Sequence, residues 1–85
     1  MIFRRHKKFK KQFNKLPKKI QVEFGNRLVL FKENQKDKLL NIHKLEGKMK
    51  GKFSMNVSGD IRAIYEIIDG EIYFFLLIGT HSELY

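Results

Sequence analysis

The sequence predicts an α+β fold in which an N-terminal helical hairpin packs on a small antiparallel β-sheet. In the first part of the chain, apolar residues recur every three or four positions, which is the period of amphipathic helices. In the last third, short apolar or alternating segments are separated by turn residues, as in a series of strands. An open sheet with helices on one face buries both sets of apolar residues. We expect residues 1–85 to form a single domain.

Two helices are predicted on either side of the only proline. The apolar face of the first helix consists of Phe9, Phe13 and Leu16, with lysines on the other face. Pro17 fits the first turn of the second helix, where its missing N–H group would have no partner. The second apolar stripe ends near Asn34 and consists of Ile20, Phe24, Leu28 and Phe31. Residues 2–6 are predicted to form a short edge strand, although they carry many charges.

Three strands are predicted to form an antiparallel meander over residues 53–58, 61–68 and 72–78. Asp69-Gly70 is a strong hairpin signal between the last two strands. The third strand is continuously apolar, which is typical of a strand buried on both faces in the middle of a sheet. Residues 34–52 are predicted to be a polar connection between the helices and the sheet.

The net charge of +9 indicates a polyanionic partner. Residues 1–50 hold sixteen basic and four acidic residues, whereas residues 51–85 hold two and five. Such a surface attracts nucleic acid through counterion release and long-range steering. The alternative is a basic surface that serves solubility or binds an acidic protein, and nucleic acid or a ribonucleoprotein is favoured over it.

Composition also indicates the cellular compartment of the protein. The chain has no cysteine, which fits a reducing compartment and leaves no disulfide or thiolate metal site. No apolar run approaches the roughly 20 residues that cross a bilayer, and the N-terminus lacks the apolar segment of a signal peptide. We expect a cytoplasmic protein with no membrane partner.

Two of the three histidines are candidates for proton transfer. His43 precedes the first meander strand and His81 follows the last one. Imidazole can give or take a proton near neutral pH, as acid–base catalysis requires. His6 is interpreted as a surface residue among basic neighbours. No cluster of His, Cys or acidic residues has the spacing of metal ligands, so neither a metal site nor a cofactor is predicted.

Other polar residues allow two interpretations each. Alternation places Asp60 and Arg62 on one face of the second strand, where Arg62 would bind a phosphate or, alternatively, pair with an Asp60 that caps its turn. Tyr85 would stack on a nucleobase or close the core. Asn56 would be a polar contact on the exposed strand face or have no role.

Four lysines surround Gly47 and Gly51 in the polar connection. They are Lys44, Lys48, Lys50 and Lys52. A run of cations on a loop is usually a solvated face. Beside a phosphate site it is also what an RNA backbone contacts. Both interpretations stay open.

Four segments, in this order, together resemble one known family. They are Phe9-Lys-Lys-x-Phe13-x-Lys-Leu16-Pro17, His43-Lys-Leu-x-Gly47-x-x-x-Gly51, Gly59-Asp60-Ile-Arg62-Ala-x-Tyr65 and Ile78-Gly79-Thr80-His81-Ser82-x-Leu84-Tyr85. The set resembles type II toxin–antitoxin toxins of the RelE/ParE superfamily, above all the YafQ-like mRNA interferases. The resemblance covers nearly the whole chain and implies a RelE-like domain.

The resemblance also implies an activity and partners. Members of this family enter the ribosomal A site and cut mRNA without a metal, with the ribose 2′-hydroxyl as nucleophile, and a small antitoxin protein inhibits them. By position, the implied catalytic residues are His81, His43, Asp60, Arg62 and Tyr85. Lys44, Lys48, Lys50, Lys52 and Asn56 are the implied RNA-binding residues.

The sequence departs from the YafQ pattern at two positions. Asn56 stands where these enzymes have a histidine, and Leu77 stands where they have an arginine, so that Arg62 is left to supply the cation. Two other functions remain open: inhibition of DNA gyrase without catalysis, as in the ParE branch, and non-catalytic RNA binding. The two candidate histidines favour the nuclease because a pure binder needs no proton transfer.

Overall fold

The computed structural model describes residues 1–85 as a five-stranded sheet with three α-helices. The elements in chain order are β1 (Ile2–Arg5), α1 (Lys7–Asn14), α2 (Lys18–Glu33), β2 (His43–Lys44), a short 3-10 helix (Gly47–Met49), β3 (Phe53–Ser58), β4 (Ile61–Ile68), β5 (Ile72–Thr80) and α3 (His81–Leu84). The α+β class is confirmed. None of the three helices is long and apolar enough to cross a membrane.

The sheet is mixed, which corrects the prediction of a purely antiparallel one. Its strand order is β1-β5-β4-β3-β2, and the strands from β2 to β5 form an antiparallel meander. Strand β1 begins the chain and pairs in parallel with β5, because the two helices carry the chain across one face of the sheet before it returns. The polar connection also proves to contain β2 and the 3-10 helix.

The predicted apolar stripes of α1 and α2 form the core with one face of the sheet. Phe9, Phe24 and Phe31 are at most 4% exposed. The Phe24 ring lies edge-on to Phe75 of β5, with 5.4 Å between centroids, and Phe31 lies edge-on to Tyr65 of β4 at 5.5 Å. Burial of each such ring stabilises the fold by roughly 1.5–3 kcal/mol. Helix α1 contacts β5 and α2 contacts β3.

The hairpin between β4 and β5 has the predicted turn. Asp69 and Gly70 both have positive φ angles, 55° and 69°. Two consecutive residues with positive φ match the twist of the flanking strands, and Asp-Gly adopts this conformation readily. The bounds predicted for β3 and β4 are confirmed.

Strand β5 contains a β-bulge that the sequence pattern does not predict. Ile64 of β4 pairs with Leu77 while Tyr65 pairs with Phe75, so that Leu76 is an extra residue. This shift lets both Phe75 and Ile78 face the helices. The prediction that β5 is buried on both faces is wrong, because Ile72–Phe74 are only half-buried. The sheet face opposite α1 and α2 therefore stays partly open.

Candidate functional site

A cleft of about 230 Å³ lies on the side of the sheet opposite α1 and α2. Alternation along β4 places Arg62 on this face, since its neighbour Ala63 lies in the core. The cleft is lined by His43, Leu45, Glu46, Met49, Arg62, His81 and Tyr85. The fold thus brings together four of the five residues predicted to be catalytic. They come from β2, β4 and the C-terminal helix α3, with Tyr85 directly after that helix.

Helix α3 is held in place by a capping box, and it carries the C-terminal side of the cleft. The Thr80 backbone N–H donates to Glu83 Oε1 at 2.8 Å, and the Thr80 hydroxyl accepts from the Glu83 backbone N–H at 3.3 Å. Hydrogen bonding of the carboxylate to the Thr80 backbone N–H, and second to the Thr80 side chain, lowers the pKa of the Glu83 carboxyl. A side chain at Gly79 would meet Glu83 Oε1 at 3.0 Å, so the glycine lets α3 approach β5 closely.

The rings of His81 and Tyr85 contact each other across one turn of α3. Their centroids lie 4.6 Å apart with an interplanar angle of 52°. The Tyr85 backbone N–H donates to the His81 carbonyl oxygen at 3.1 Å. Tyr85 is 48% exposed, so it does not close the core. Its ring instead borders the cleft, where one face of an aromatic group is accessible to a ligand.

His43 is oriented by the backbone of the preceding loop. Its Nδ1 atom lies 3.1 Å from the carbonyl oxygen of Asn41. A carbonyl oxygen only accepts hydrogen bonds, so this contact assigns the proton of the neutral ring to Nδ1. The Nε2 atom then carries the free lone pair and can accept a proton.

Arg62 lies on the floor of the cleft without an acidic partner. Its direct neighbours in the sheet are Asn56 on β3 and Gly79 on β5. The fold contains a single ion pair, between Glu23 and Arg27, and it lies on α2. The positive charge of the half-buried Arg62 is therefore available to an anion bound in the cleft.

Asp60 and Asn56 do not line this cleft. Asp60 is exposed in the turn between β3 and β4 and forms no ion pair with Arg62. Asn56 faces Arg62 across the sheet, but its side-chain oxygen is buried without a hydrogen-bond partner, as is Nε of Arg62. Neither placement gives these two residues direct access to a ligand in the cleft.

Residues 44–52, which carry four lysines and which we call the lysine loop, lie next to the cleft. Lys44, Lys50 and Lys52 line a second cavity of about 400 Å³, which shares Leu45 and Glu46 with the first. Lys48 is exposed on the 3-10 helix and lines neither cavity. The loop thus surrounds the cleft with cations that have no acidic partner.

Glu46 is the residue in the cleft that the sequence analysis missed. It lies in the same short segment as His43 and adds a carboxylate to two imidazoles and a guanidinium. Its position between His43 and Gly47 was the available signal. Likewise, the sequence Thr80-His-Ser-Glu83 is a capping-box pattern that announces α3. No three His, Asp or Glu side chains are placed to hold a metal ion.

Comparisons with solved structures find close matches over the whole chain. YafQ from E. coli superposes with a TM-score of 0.81 at 21% identity, covering 98% of this chain and 96% of YafQ. A copper-bound mutant toxin from Helicobacter pylori gives 0.76 at 27% identity, covering 100% and 99%. The YoeB/ParE toxin from Agrobacterium tumefaciens gives 0.77 at 14% identity, covering 95% and 99%.

Chains of two toxin–antitoxin complexes also match. They are DinJ–YafQ from E. coli and RelBE2 from Mycobacterium tuberculosis, at 22% identity each. No protein-family model matches the sequence, and no curated protein is significantly similar to it. At these identities the likeness establishes the fold. The resemblance drawn from the sequence motifs is confirmed: the chain has the YafQ-like fold of the RelE/ParE toxin superfamily.

Proposed function

We propose that this protein is the toxin of a type II toxin–antitoxin pair and cleaves mRNA in the ribosomal A site. The observation that carries the proposal is the convergence of His43, Arg62, His81 and Tyr85 in one cleft, beside a cavity lined by three lysines. A pure binding module needs no such pair of imidazoles around a guanidinium. The toxins among the structural neighbours support the same conclusion.

The first step of the proposed reaction is activation of the ribose 2′-hydroxyl. Nε2 of His43 takes the proton, because Nδ1 is committed to the Asn41 carbonyl. The 2′-oxygen then attacks the adjacent phosphorus. The Glu46 carboxylate, which lines the same cleft, stabilises the imidazolium that His43 becomes.

The second step is departure of the 5′-oxygen. Negative charge builds up on the phosphorane-like transition state, and the Arg62 guanidinium binds it. Protonated His81 donates a proton to the 5′-oxygen as its bond to phosphorus breaks. The products are a 2′,3′-cyclic phosphate and a 5′-hydroxyl end. At the end of the reaction His43 has gained one proton and His81 has lost one. Proton exchange with solvent restores both.

The residues around the catalytic cleft bind the RNA substrate. Tyr85 offers an exposed ring on which a nucleobase stacks beside His81. Lys44, Lys48, Lys50 and Lys52 contact the phosphates that flank the cleaved bond. In this arrangement Asp60 and Asn56 take no part in the cleavage reaction.

The proposed partner is a small acidic antitoxin. Structures with the same fold occur in the toxin–antitoxin complexes DinJ–YafQ and RelBE2. The unpaired lysines of this chain complement an acidic, partly disordered segment that folds on binding. Isolation of the protein from its native host should recover such a partner. Recovery of the protein alone from its native host would contradict this part of the proposal.

Primer-extension mapping of transcripts after brief induction tests the proposal. We expect new 5′ ends within coding regions for the wild type and for Ser82→Ala, a matched control on α3 that does not line the cleft. His81→Ala should lose these ends and the accompanying growth arrest while its folded structure persists. Undiminished cleavage by His81→Ala would refute the mechanism.

Two other outcomes would replace the proposed function. Induction of the DNA-damage response with intact mRNA would indicate a gyrase inhibitor. Salt-sensitive RNA binding without cleavage, even in the presence of ribosomes, would indicate a non-catalytic binding module.

A further inference from the structure

The open face of the sheet extends beyond the cleft and carries an unusual row of side chains. Arg4 of β1, Phe74 of β5 and Glu66 of β4 are direct neighbours across three strands. Phe75 faces the core, so alternation places Phe74 on the opposite face, which is the face of the cleft. We refer to Arg4, Phe74 and Glu66 as the sheet-face row.

Phe74 takes no part in the hydrophobic core. Its ring is half-buried and absent from the set of residues packed against the helices. Its aromatic neighbour is His6, at 5.7 Å between centroids and tilted by 47°. A partly accessible aromatic side chain on the sheet face opposite the core, with a histidine beside it, is the kind of surface on which single-stranded nucleic acids stack their bases.

The charges that flank Phe74 complement a nucleotide. Arg4 is exposed and has no ion-pair partner, so its guanidinium can bind a phosphate or stack on a base. Glu66 on the other side forms no salt bridge. A carboxylate in this position accepts hydrogen bonds from the exocyclic amino group of cytosine or adenine and offers nothing to uracil O4.

The sheet-face row is continuous with the cleft through β5. Gly79, the neighbour of Arg62, is five residues from Phe74, a distance of about 16 Å along a strand. About five stacked nucleotides span this distance at 3.4 Å each. Leu77 of β5 and its partner Ile64 of β4 lie between the two places, and Ile64 is fully buried, so the RNA would cross this stretch over covered apolar side chains.

We propose that the sheet-face row is a second RNA subsite, in which Phe74 stacks on a base, Arg4 binds its phosphate and Glu66 favours bases with an exocyclic amino group. The subsite deepens the proposed nuclease function and rests on it. It adds contacts with the substrate a few nucleotides beyond the cleaved bond. It also supplies a base preference that the cleft itself does not require.

Fluorescence anisotropy with 2′-O-methyl RNA tests this proposal without cleavage, because the blocked 2′-oxygen cannot attack. Two lengths are used, about eight nucleotides to reach both places and about three to fill the cleft alone. Phe74→Ala should bind the longer RNA at least about fivefold more weakly, the lower limit for loss of one base–aromatic stack. Its affinity for the shorter RNA should match the wild type.

Matched variants separate stacking and charge from folding. Phe74→Leu keeps an apolar cover on the sheet but removes the stacking surface, so it should show the same length-dependent loss. Arg4→Ala should weaken only the longer RNA, whereas Lys19→Ala, which removes an exposed charge from α2, should affect both lengths alike. Glu66→Ala should abolish a preference of the wild type for oligo-C or oligo-A over oligo-U.

Two results would overturn the subsite. One is wild-type affinity of Phe74→Leu and Arg4→Ala for the longer RNA. This result would mean that the face binds a protein partner, or nothing, instead of RNA. The other is an equal loss for both lengths, which would make these residues structural. Failure of the nuclease proposal is distinguishable, because it appears as absent cleavage by the wild type in cells while length-dependent binding in vitro persists.

Discussion

Glu83 and Thr80 hold each other through two reciprocal hydrogen bonds, and this pair orients the two aromatic rings of the cleft. The carboxylate accepts from the Thr80 backbone N–H at 2.8 Å, and the hydroxyl accepts from the Glu83 backbone N–H at 3.3 Å. Helix α3 is only four residues long, so it has few other hydrogen bonds to stabilise it. The orientation of His81 and Tyr85 therefore depends on the ionised state of Glu83.

The first prediction is an acid-induced loosening of α3. The pKa of Glu83 is lower in the folded protein than in the unfolded chain, because the carboxylate accepts hydrogen bonds from Thr80. Its stabilising contribution is therefore complete above the unfolded value of about 4.3 and is lost as the pH falls through the folded value. NMR chemical shifts of the His81 and Tyr85 rings should report this loss below about pH 4.3, before the core unfolds.

Glu83→Gln is the matched control for the acid effect. Glutamine has the size of the protonated carboxyl group, carries no charge and does not titrate. In this variant the ring shifts of His81 and Tyr85 should already resemble the acid form of the wild type near neutral pH, and they should not change further in acid. An identical acid transition in both proteins would show that Glu83 does not control α3.

The second prediction concerns the contact between His81 and Tyr85. Tyr85→Phe keeps the ring that lies 4.6 Å from the imidazole and should cleave mRNA at close to the wild-type rate. Tyr85→Ala removes the contact, and we expect cleavage to fall by at least about two- to tenfold, since aromatic pairs contribute about 0.5–1.5 kcal/mol. A strong loss in Tyr85→Phe would instead assign a chemical role to the hydroxyl group.

The third prediction is that Arg62 and Asn56 differ sharply in their effect on cleavage. Arg62 lines the cleft, and loss of its charge in Arg62→Ala should slow cleavage by about 10²–10³-fold, as for removal of one donor to a transition-state oxyanion. Arg62→Lys should recover only part of this rate, because an ammonium group lacks the bidentate geometry.

Asn56→Ala provides the contrast at the position directly across the sheet from Arg62. The Asn56 side-chain oxygen has no hydrogen-bond partner and does not line the cleft, so the variant should cleave at nearly the wild-type rate. Single-turnover cleavage on programmed ribosomes measures all three variants. A loss in Asn56→Ala as large as that in Arg62→Ala would mean that Asn56 takes part in the reaction.

Local patterns in the sequence were sufficient for the helices and the meander. The stripe of Ile20, Phe24, Leu28 and Phe31 and the Asp69-Gly70 turn depend on neighbours a few residues away, and the fold has both. The pairing of β1 with β5 joins residues about seventy positions apart, and nothing in the charged segment Ile2–Arg5 announces it. The bulge at Leu76 was equally hidden, because a continuous apolar run has no alternation in which an extra residue would show.

The cleft was predictable to the extent that its residues follow recognisable elements. His43, Arg62 and His81 each lie in or next to a strand, and the order of the strands in the meander brings them together. Asp60 was expected beside Arg62 because both were assigned to one strand. The turn at Gly59 instead leaves Asp60 outside β4, where alternation no longer fixes its direction.

The last prediction concerns stability and leaves the cleft unchanged. Ser54 on β3 is fully buried, and its hydroxyl has no hydrogen-bond partner. Burial of an unpaired hydroxyl costs about 1–3 kcal/mol, so Ser54→Ala should raise the free energy of unfolding by about 1 kcal/mol after loss of one packed atom. For a chain of this length, that gain raises the melting temperature by about 5 °C.

Met55→Ala is the contrasting variant at the next position of β3. Its side chain is equally buried but lies in the apolar core, so truncation should lower the free energy of unfolding by about 2–5 kcal/mol. Urea unfolding followed by circular dichroism measures both changes. If Ser54→Ala proves destabilising, its hydroxyl has a partner in solution, and the candidate is His43, which pairs with Ser54 across β2 and β3. Because His43 lines the cleft, the same variant would then slow cleavage as well, whereas an unpartnered Ser54 predicts an unchanged rate.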